Sequence, residues 1–186
     1  MLFVGERPSP RKLGRHRDGF LSEIREKVEQ VYLESREDVY YYLVTLGLAP
    51  GSAQEICQEV FLRLYREIRD GAQIENPRAW AFRVAHNLGL KVRARERTVH
   101  PLESDGIPST HPAETSNPER FFLESERLML LRQAVSELSP QQRQCLHLRA
   151  EGLRYNEIAQ VLGISASSVN EFLRRAIRKL RKVVHA

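Results

Sequence analysis

Apolar residues recur at four-residue spacing through the middle of this 186-residue chain. The clearest run is Ile56, Val60, Leu64 and Ile68. Residues spaced in this way lie along one face of an α-helix, where they pack into a core. No segment shows the strict alternation of apolar and polar residues that is typical of a half-buried strand. We therefore predict an all-α fold.

The same periodicity divides the first half of the chain into three helices. Apolar residues at mostly helical spacing run over residues 24–48 before Gly and Pro interrupt them. Residues 52–55 read as a capping box, which predicts a helix that starts there and ends near Asp70. Residues 76–77, an Asn-Pro pair, begin a third helix, whose apolar stripe is predicted to consist of Trp80, Val84 and Leu88.

A change of composition then separates two helical units. Four prolines, several Ser and Thr residues and net acidity mark the chain after Thr98, which is typical of a flexible linker. We predict two small helical domains joined by this linker. The predicted segments are a basic, poorly ordered arm (1–20), a first domain (21–97), an acidic Pro-rich linker (98–120) and a second domain (121–186).

The second domain contains the pattern of a helix-turn-helix. Residues 139–142 have the form of a capping box with proline at the first helical position. Two further helices are predicted over residues 155–162 and 166–184. Between them, Gly163 can adopt a positive φ and Ser165 can cap the second helix. The buried face of that second helix is predicted to consist of Val169, Leu173, Ala176, Ile177 and Leu180.

Charge favours a polyanionic partner for this helix. The chain has 29 Lys and Arg residues against 24 Asp and Glu residues, a formal net charge of +5, and basic residues are concentrated after Ser165. Such a helix can enter the major groove of DNA, with its N-terminal side chains at base edges and its cations near phosphates. The alternative is an amphipathic hairpin whose arginines are merely solvated. The glycine turn and the serine cap favour DNA binding.

Catalysis, metal binding and membrane insertion find no support in the sequence. Cys57 and Cys145 cannot build a disulfide framework, and they indicate a reducing compartment. The six histidines are scattered without metal-ligand spacing, and no phosphate loop or nucleophile elbow occurs. No apolar run reaches the roughly 18 residues of a membrane span, and no signal peptide begins the chain. We predict a cytoplasmic protein that is not an enzyme and uses no cofactor or metal.

Three stretches resemble the sigma-70 family of transcription initiation factors. Leu138 to Leu180 resembles the family's C-terminal helix-turn-helix, which reads the upstream, minus-thirty-five promoter element. Glu55 to Leu62 resembles the polymerase-binding helix, and Asn76 to Asn87 resembles the promoter-melting helix. Both halves in this order, without the extra domain of primary sigma factors, are similar to the extracytoplasmic-function (ECF) branch. The resemblance implies an RNA polymerase sigma factor, which directs core polymerase to promoters and assists DNA melting.

The resemblance also implies three groups of contact residues. The surface for core RNA polymerase is expected to include Glu55, Gln58, Glu59 and Arg63. The downstream, minus-ten element, as duplex and as melted strand, is expected to contact Arg78, Trp80, Arg83, Asn87, Lys91 and Arg93. The upstream duplex is expected to contact Ser167, Ser168, Asn170, Glu171, Arg174, Arg175 and Arg178. An aromatic ring and an amide suit the capture of extruded bases, although the apolar stripe also favours core packing for Trp80.

Three positions depart from the family's pattern. Lys91 stands where many members have an aspartate, and Arg154 stands where Ser or Thr usually caps the first helix of the turn motif. Residues 170–172 replace the basic or small polar residues that are common there. Glu171 would repel phosphate unless it accepts a hydrogen bond from a cytosine amine, so the upstream sequence preference does not follow from relatives.

Two other functions stay open from the sequence. A helix-turn-helix regulator that binds duplex DNA without acting as a sigma subunit would use the second domain identically. The second open function is that of an interaction protein that sequesters a partner. A sigma factor alone needs both the Gln58 and Glu59 surface and a strand-reading site around Asn87. An anti-sigma factor that covers the DNA-facing surfaces is typical of the family and is a further expected partner.

Overall fold

A computed structural model describes residues 10–99 and 129–184 of the chain, with side chains over 21–96 and 129–182. Seven helices and no strand occur in these ranges, so the predicted all-α fold is confirmed for this part of the chain. None of the helices in it combines the length and the apolar composition that a membrane span requires. Residues 1–9 of the predicted arm and 100–120 of the predicted linker lie outside the described residues.

Three helices form the first unit: α1 (Pro10–Thr45), α2 (Pro50–Arg69) and α3 (Pro77–Val99). Each of them packs against the other two. Tyr42 of α1 and Phe82 of α3 are fully buried, with ring centroids 5.6 Å apart in an edge-to-face arrangement. The core of the first unit is therefore built around an aromatic pair, to which α2 adds its predicted stripe of Ile56, Val60 and Leu64.

The start of α1 differs from the sequence prediction. The helix begins at Pro10, whereas a poorly ordered arm was predicted up to residue 20. Proline is favoured at a first helical position because it has no amide hydrogen to leave unpaired, and the Arg and Lys residues that follow form helices well. The prediction of an arm without regular structure is wrong for residues 10–20.

The start of α2 also differs from the prediction. The helix begins at Pro50, and Ala49 before it provides no side-chain cap. The Ser52 hydroxyl donates instead to Glu96 Oε1 of α3, at 2.7 Å. The predicted capping box at residues 52–55 is therefore wrong, because proline takes the first helical position two residues earlier. The predicted end near Asp70 is confirmed.

The buried face of α3 is rotated away from the predicted stripe. The half-buried residues are Trp80, Val84 and Leu88. The fully buried ones are Ala81, Phe82 and Ala85. A Cβ atom built on Gly89 would lie 3.0 Å from side-chain atoms of Leu43 and Leu46. Small residues beside Phe82 thus let α3 approach α1 closely, and the predicted stripe of Trp80, Val84 and Leu88 is left at the edge of the contact.

The second unit contains α4 (residues 129–136), α5 (Pro140–Ala150), α6 (Tyr155–Leu162) and α7 (Ala166–Val184). The capping box before α5 is confirmed: Gln142 N donates to Ser139 Oγ at 3.3 Å, and Ser139 N donates to Gln142 Oε1 at 3.0 Å. The predicted bounds of α6 and α7 are also confirmed. Helix–turn–helix geometry is therefore present where the sequence indicates it.

Gly163 and Ser165 form the turn between α6 and α7. Gly163 has a φ of 65°, and the next amide, Ile164 N, donates to Ala159 O at 3.1 Å, as in a Schellman motif. The Ser165 hydroxyl accepts from Ser168 N at 3.1 Å and caps α7. One predicted core residue is misplaced, since Ile177 is 43% exposed. The buried residues of α7 include Val169, Leu173 and Ala176.

Gly163→Ala is expected to lower the free energy of unfolding by about 1 kcal/mol, because an L-residue is strained in the left-handed region. Gly51→Ala is the matched control. Neither glycine would bring a new Cβ within 4 Å of another atom, and Gly51 lies in α2 without a positive φ. Urea denaturation of both variants measures the difference. Equal stability of the two variants would show that the φ of Gly163 imposes no strain.

The two units are in contact in the structure. Helix α6 lies on α3, and α5 lies against α1. Buried side chains of both units form one continuous cluster. The sequence predicts two domains, and the structure packs them together over these helices.

Candidate nucleic-acid interface

The outward face of α7 is basic. Its exposed cations are Arg174, Arg175, Arg178, Lys179, Arg181 and Lys182. At the N-terminal end, Asn170 and Ser167 are also exposed, and the Ser167 and Ser168 hydroxyls lie 2.9 and 2.8 Å from that of Ser165. The predicted upstream contact residues therefore share one side of one helix. A helix with polar side chains at its N-terminal end and cations along the rest of its exposed face can enter the major groove of DNA.

Glu171 is compensated within this face. Its carboxylate accepts from Arg175 Nε and from Arg174 Nη2, both at 2.7 Å. Hydrogen bonds from Arg175 and Arg174 lower the pKa of Glu171, so the group is ionised at neutral pH. The departure from the family's pattern thus does not leave an isolated anion. Glu171 instead orients two guanidinium groups on the surface of α7.

The exposed side of α3 carries a row of polar residues at four-residue spacing. Arg83, Asn87 and Lys91 are all exposed and follow one face of the helix. Trp80 lies half-buried at one end of this row. Arg93 is partly buried. Three of the predicted downstream residues are therefore brought together on one surface, with an aromatic ring beside them.

A third surface of polar residues lies on α2. Glu55, Gln58 and Arg63 are exposed on α2, and Arg63 Nε donates to Glu59 Oε1 at 2.6 Å. That hydrogen bond lowers the pKa of Glu59. The predicted polymerase-contact residues thus present mixed charge and an amide on one helix.

An apolar groove adjoins these polar residues, and sequence reasoning missed it. It is lined by Arg25, Val28, Glu29, Tyr32, Gln58, Phe61, Leu62 and Tyr65. Two of these lining residues, Tyr32 and Phe61, form an edge-to-face pair with ring centroids 5.1 Å apart. Leu62 is 52% exposed beside it. The sequence signal that could have indicated this groove is Leu62, an apolar residue of α2 that does not lie on the buried face of that helix.

Comparison with known families decides the assignment. A model of Sigma-70 region 2 matches residues 31–98, and a model of Sigma-70, region 4 matches residues 128–180. The first covers α1 from Val31 to the end of α3, and the second covers the helix-turn-helix with the two helices before it. The chain belongs to the sigma-70 family.

Relatives place it with the ECF branch of the sigma-70 family. The chain is 28% identical over 158 residues to the ECF RNA polymerase sigma factor SigE of Mycolicibacterium smegmatis, covering 82% of the chain and 60% of that protein. It is 25% identical over 159 residues to the RNA polymerase sigma factor YlaC of Bacillus subtilis, covering 85% of the chain and 92% of that protein. The chain therefore spans less than two thirds of SigE and nearly all of YlaC.

Two solved structures share the fold. The sigma factor RpoE, in complex with the anti-sigma factor NepR from Bartonella quintana, matches with a TM-score of 0.63 at 20% identity, over 87% of this chain and 98% of that one. CnrH, in complex with the cytosolic domain of CnrY, matches with a TM-score of 0.58 at 19% identity, over 91% and 94%. At these identities the likeness concerns the helical architecture alone.

One residue of the sigma-70 region 2 match lies apart from the other downstream residues. Arg78 Nη2 donates to Asp38 Oδ2 and to Glu151 Oε2, both at 2.8 Å, and its guanidinium lies over the Phe82 ring. The sequence led us to expect Arg78 at a DNA phosphate. In the structure its side chain points instead into the contact between the two units, where it binds Asp38 and Glu151. Among the described residues, no three His, Cys, Asp or Glu side chains cluster in a way that could hold a metal ion.

Proposed function

We propose that this chain is an RNA polymerase sigma factor that brings core polymerase to specific promoters and assists DNA melting. The observation that carries the proposal is the presence of both sigma-70 regions in one chain, in order. A helix-turn-helix regulator would use the second region to bind DNA and would keep the first as a dimerisation or sensing module, a role that does not call for a Sigma-70 region 2 sequence. The chemistry of RNA synthesis then belongs to polymerase, and this chain contributes recognition in the cytoplasm.

Each surface has a role in this proposal. The basic face of α7 docks on the upstream duplex, where Arg174 and Arg178 neutralise phosphates and Asn170 reaches base edges. The row on α3 holds the melted downstream strand, with Asn87 at a base edge and Trp80 available for stacking. The α2 surface of Gln58 and Glu59, with its apolar groove, binds core polymerase.

Regulation by an anti-sigma factor is part of the proposal. RpoE, which shares the fold, was solved in complex with the anti-sigma factor NepR. A partner of that kind would act by covering the α3 and α7 surfaces, and both carry the exposed basic and polar residues that a DNA-mimicking surface can bind.

Reconstituted transcription tests the sigma function. Core polymerase is incubated with and without the chain on genomic fragments from the same organism, and new start sites are mapped. We expect specific starts that depend on the chain and that fall about tenfold or more with Asn87→Ala, a loss consistent with one base contact. Asn156→Ala, at an exposed position of α6, is the matched control.

Two results would contradict the proposal, the first as a whole and the second in its role for α3. Duplex binding without any polymerase-dependent start would assign the chain to the helix-turn-helix regulators. Equal starts from the Asn87→Ala and control variants would remove the strand-reading role from α3 while leaving the sigma function.

A further inference from the structure

Glu171 lies at the centre of the outward face of α7. The buried residues of this helix include Val169, Leu173 and Ala176, and Glu171 lies about 200° round the helix from Val169. It belongs to the second turn of α7, and the first turns of such a helix are the part that meets base edges in a major groove. In the proposed docking of α7, the Glu171 carboxylate therefore faces bases rather than the phosphates at the rims of the groove.

The hydrogen bonds to Glu171 leave further donors and acceptors on the same groups. Arg175 binds Oε1 of the carboxylate through Nε at 2.7 Å, so its terminal Nη1 and Nη2 can still act as a fork. Arg174 binds Oε2 through Nη2, also at 2.7 Å. Each carboxylate oxygen has a second lone pair that these bonds do not use. The three residues thus present a fork of donors beside an acceptor.

This arrangement matches the major-groove edge of one kind of base pair. A G·C pair presents the N7 and O6 acceptors of guanine, followed by the N4 amine of cytosine. The Arg175 fork can donate to N7 and O6, and the Glu171 carboxylate can accept from the amine. An A·T pair has a donor between two acceptors, and a C·G pair presents the G·C order reversed. Only G·C, in one orientation, fits the donors and the acceptor together.

The same carboxylate acts against other base pairs. Thymine presents its O4 acceptor and its methyl group where cytosine presents the amine, so the carboxylate would lose water without gaining a partner. Hydrogen bonds from Arg175, and also from Arg174, lower the pKa of Glu171, so the group stays ionised and cannot donate to O4 instead. Specificity commonly combines an attractive contact to one partner with a repulsive contact to others. Glu171 thus raises selectivity and lowers affinity for DNA in general.

The geometry of the group favours this role over a solvated ion pair. Pairs three and four residues apart are common on exposed helices and stabilise them little. The side chains of Arg174 and Arg175 are 62% and 59% exposed, whereas that of Glu171 is 37% exposed although it lies opposite the core. The two arginines therefore cover the carboxylate and hold it in place before DNA binds. A group that is fixed in advance loses less conformational entropy when it meets a base.

We propose that Glu171 is a specificity-determining residue of the upstream interface, where it reads one G·C base pair together with Arg175 and disfavours other pairs. Arg174 is a positioning residue that holds the carboxylate from its other side, and its remaining donors can still meet a phosphate. This reading role rests on the proposed docking of α7 on duplex DNA, which a sigma factor and a helix-turn-helix regulator would share. It does not depend on the sigma function.

Selection from a duplex library tests the base preference. The full chain is incubated with duplexes that contain about ten randomised base pairs, which is one turn of DNA, and the bound duplexes are sequenced. We expect the parent chain to enrich a G·C pair at one position of the selected motif by about tenfold or more over the other pairs, and Glu171→Ala to lose this preference. A parent without a preferred G·C pair, or a variant that retains the parent's preferences, would overturn the proposal.

Affinities for two duplexes, measured by fluorescence anisotropy, distinguish base reading from charge. The first duplex is the enriched one, and in the second its G·C pair is replaced by A·T. Glu171→Ala is expected to bind the first more weakly than the parent does and the second more tightly, because it loses the contact with cytosine and also an anion that faces DNA. Glu23→Ala removes the same charge from an exposed position of α1 and is the matched control, in which the ratio of the two affinities should equal that of the parent. A shift of both affinities by the same factor in Glu171→Ala would refute the reading role.

A modified cytosine tests the contact at a single hydrogen atom. N4-methylcytosine keeps the pair with guanine and carries a methyl group in place of the amine hydrogen that faces the major groove. In the enriched duplex it is expected to weaken binding of the parent by about tenfold, the usual effect of losing a hydrogen bond to a charged group, and to leave binding of Glu171→Ala unchanged. Equal losses in parent and variant would refute the acceptor role of Glu171. Reconstituted transcription decides the sigma function separately, because start sites that depend on the chain would stand whichever base pair Glu171 reads.

Discussion

Leu62→Asp is expected to weaken binding of core RNA polymerase by about 100-fold or more. Leu62 is half-exposed beside an apolar groove on the α2 surface, where a partner would bury it. Loss of a central apolar contact costs about 2 kcal/mol or more at an interface, and a buried unpaired carboxylate adds to that cost. Each 1.4 kcal/mol is tenfold in affinity. Titration of fluorescent core polymerase with the variant measures the loss directly.

Leu130→Asp is the matched control for this experiment. Leu130 lies on α4 with 47% exposure, close to the 52% of Leu62, so both changes add one acid to a solvent-facing leucine. Neither is expected to unfold the chain, because neither side chain belongs to the core. An equal loss of affinity in the two variants would mean that added negative charge, and not the groove, weakens binding. An unchanged affinity for Leu62→Asp would move the polymerase surface elsewhere.

Local signals in the sequence were read correctly because their causes are local. The capping box of Ser139 needs residues within one turn of helix, and the turn at Gly163 needs one positive φ followed by one capping serine. Each of these satisfies backbone groups with atoms three to five residues away. The bounds of the helix-turn-helix could therefore be predicted, and of the predicted buried residues of α7 Ile177 is exposed.

Features that depend on partners far along the chain could not be read in the same way. The buried face of α3 is set by how closely Gly89 approaches Leu43 and Leu46, and apolar periodicity places the larger residues there instead. Ser52 fits a local cap, but its hydroxyl meets Glu96, which lies 44 residues away. Spacing within a helix predicts that a face is buried; the neighbouring helix decides which residues fill it.

Charge on a helix surface was the least predictable property. Arg78 and Arg83 lie on the same helix five residues apart, and the sequence gives both the same role. The structure exposes Arg83 and pairs Arg78 with Glu151, 73 residues away. A cation near a DNA-binding surface thus serves either a phosphate or a carboxylate, and tertiary contacts select between them.

The double variant Arg174→Ala/Arg178→Ala is expected to weaken binding of upstream promoter duplex by about tenfold to 100-fold, because it removes two exposed cations of α7 that we propose contact phosphates. Each phosphate contact contributes about 0.9 to the slope of log affinity against log salt concentration, so the slope should flatten by about 2. Fluorescence anisotropy of a labelled duplex taken from a mapped start site, measured between 50 and 200 mM salt in roughly equal steps, gives both quantities.

Arg66→Ala/Arg69→Ala removes the same charge from α2, where both residues are exposed and far from the turn motif along the chain. This control should leave the slope unchanged, because release of counterions depends on which cations touch DNA and not on net charge alone. A slope that flattens equally in both double variants would show that α7 acts through general attraction. Removal of a cation that contacts a phosphate must flatten the slope of log affinity against log salt concentration. If neither double variant changes this slope, α7 is not the helix that enters the major groove.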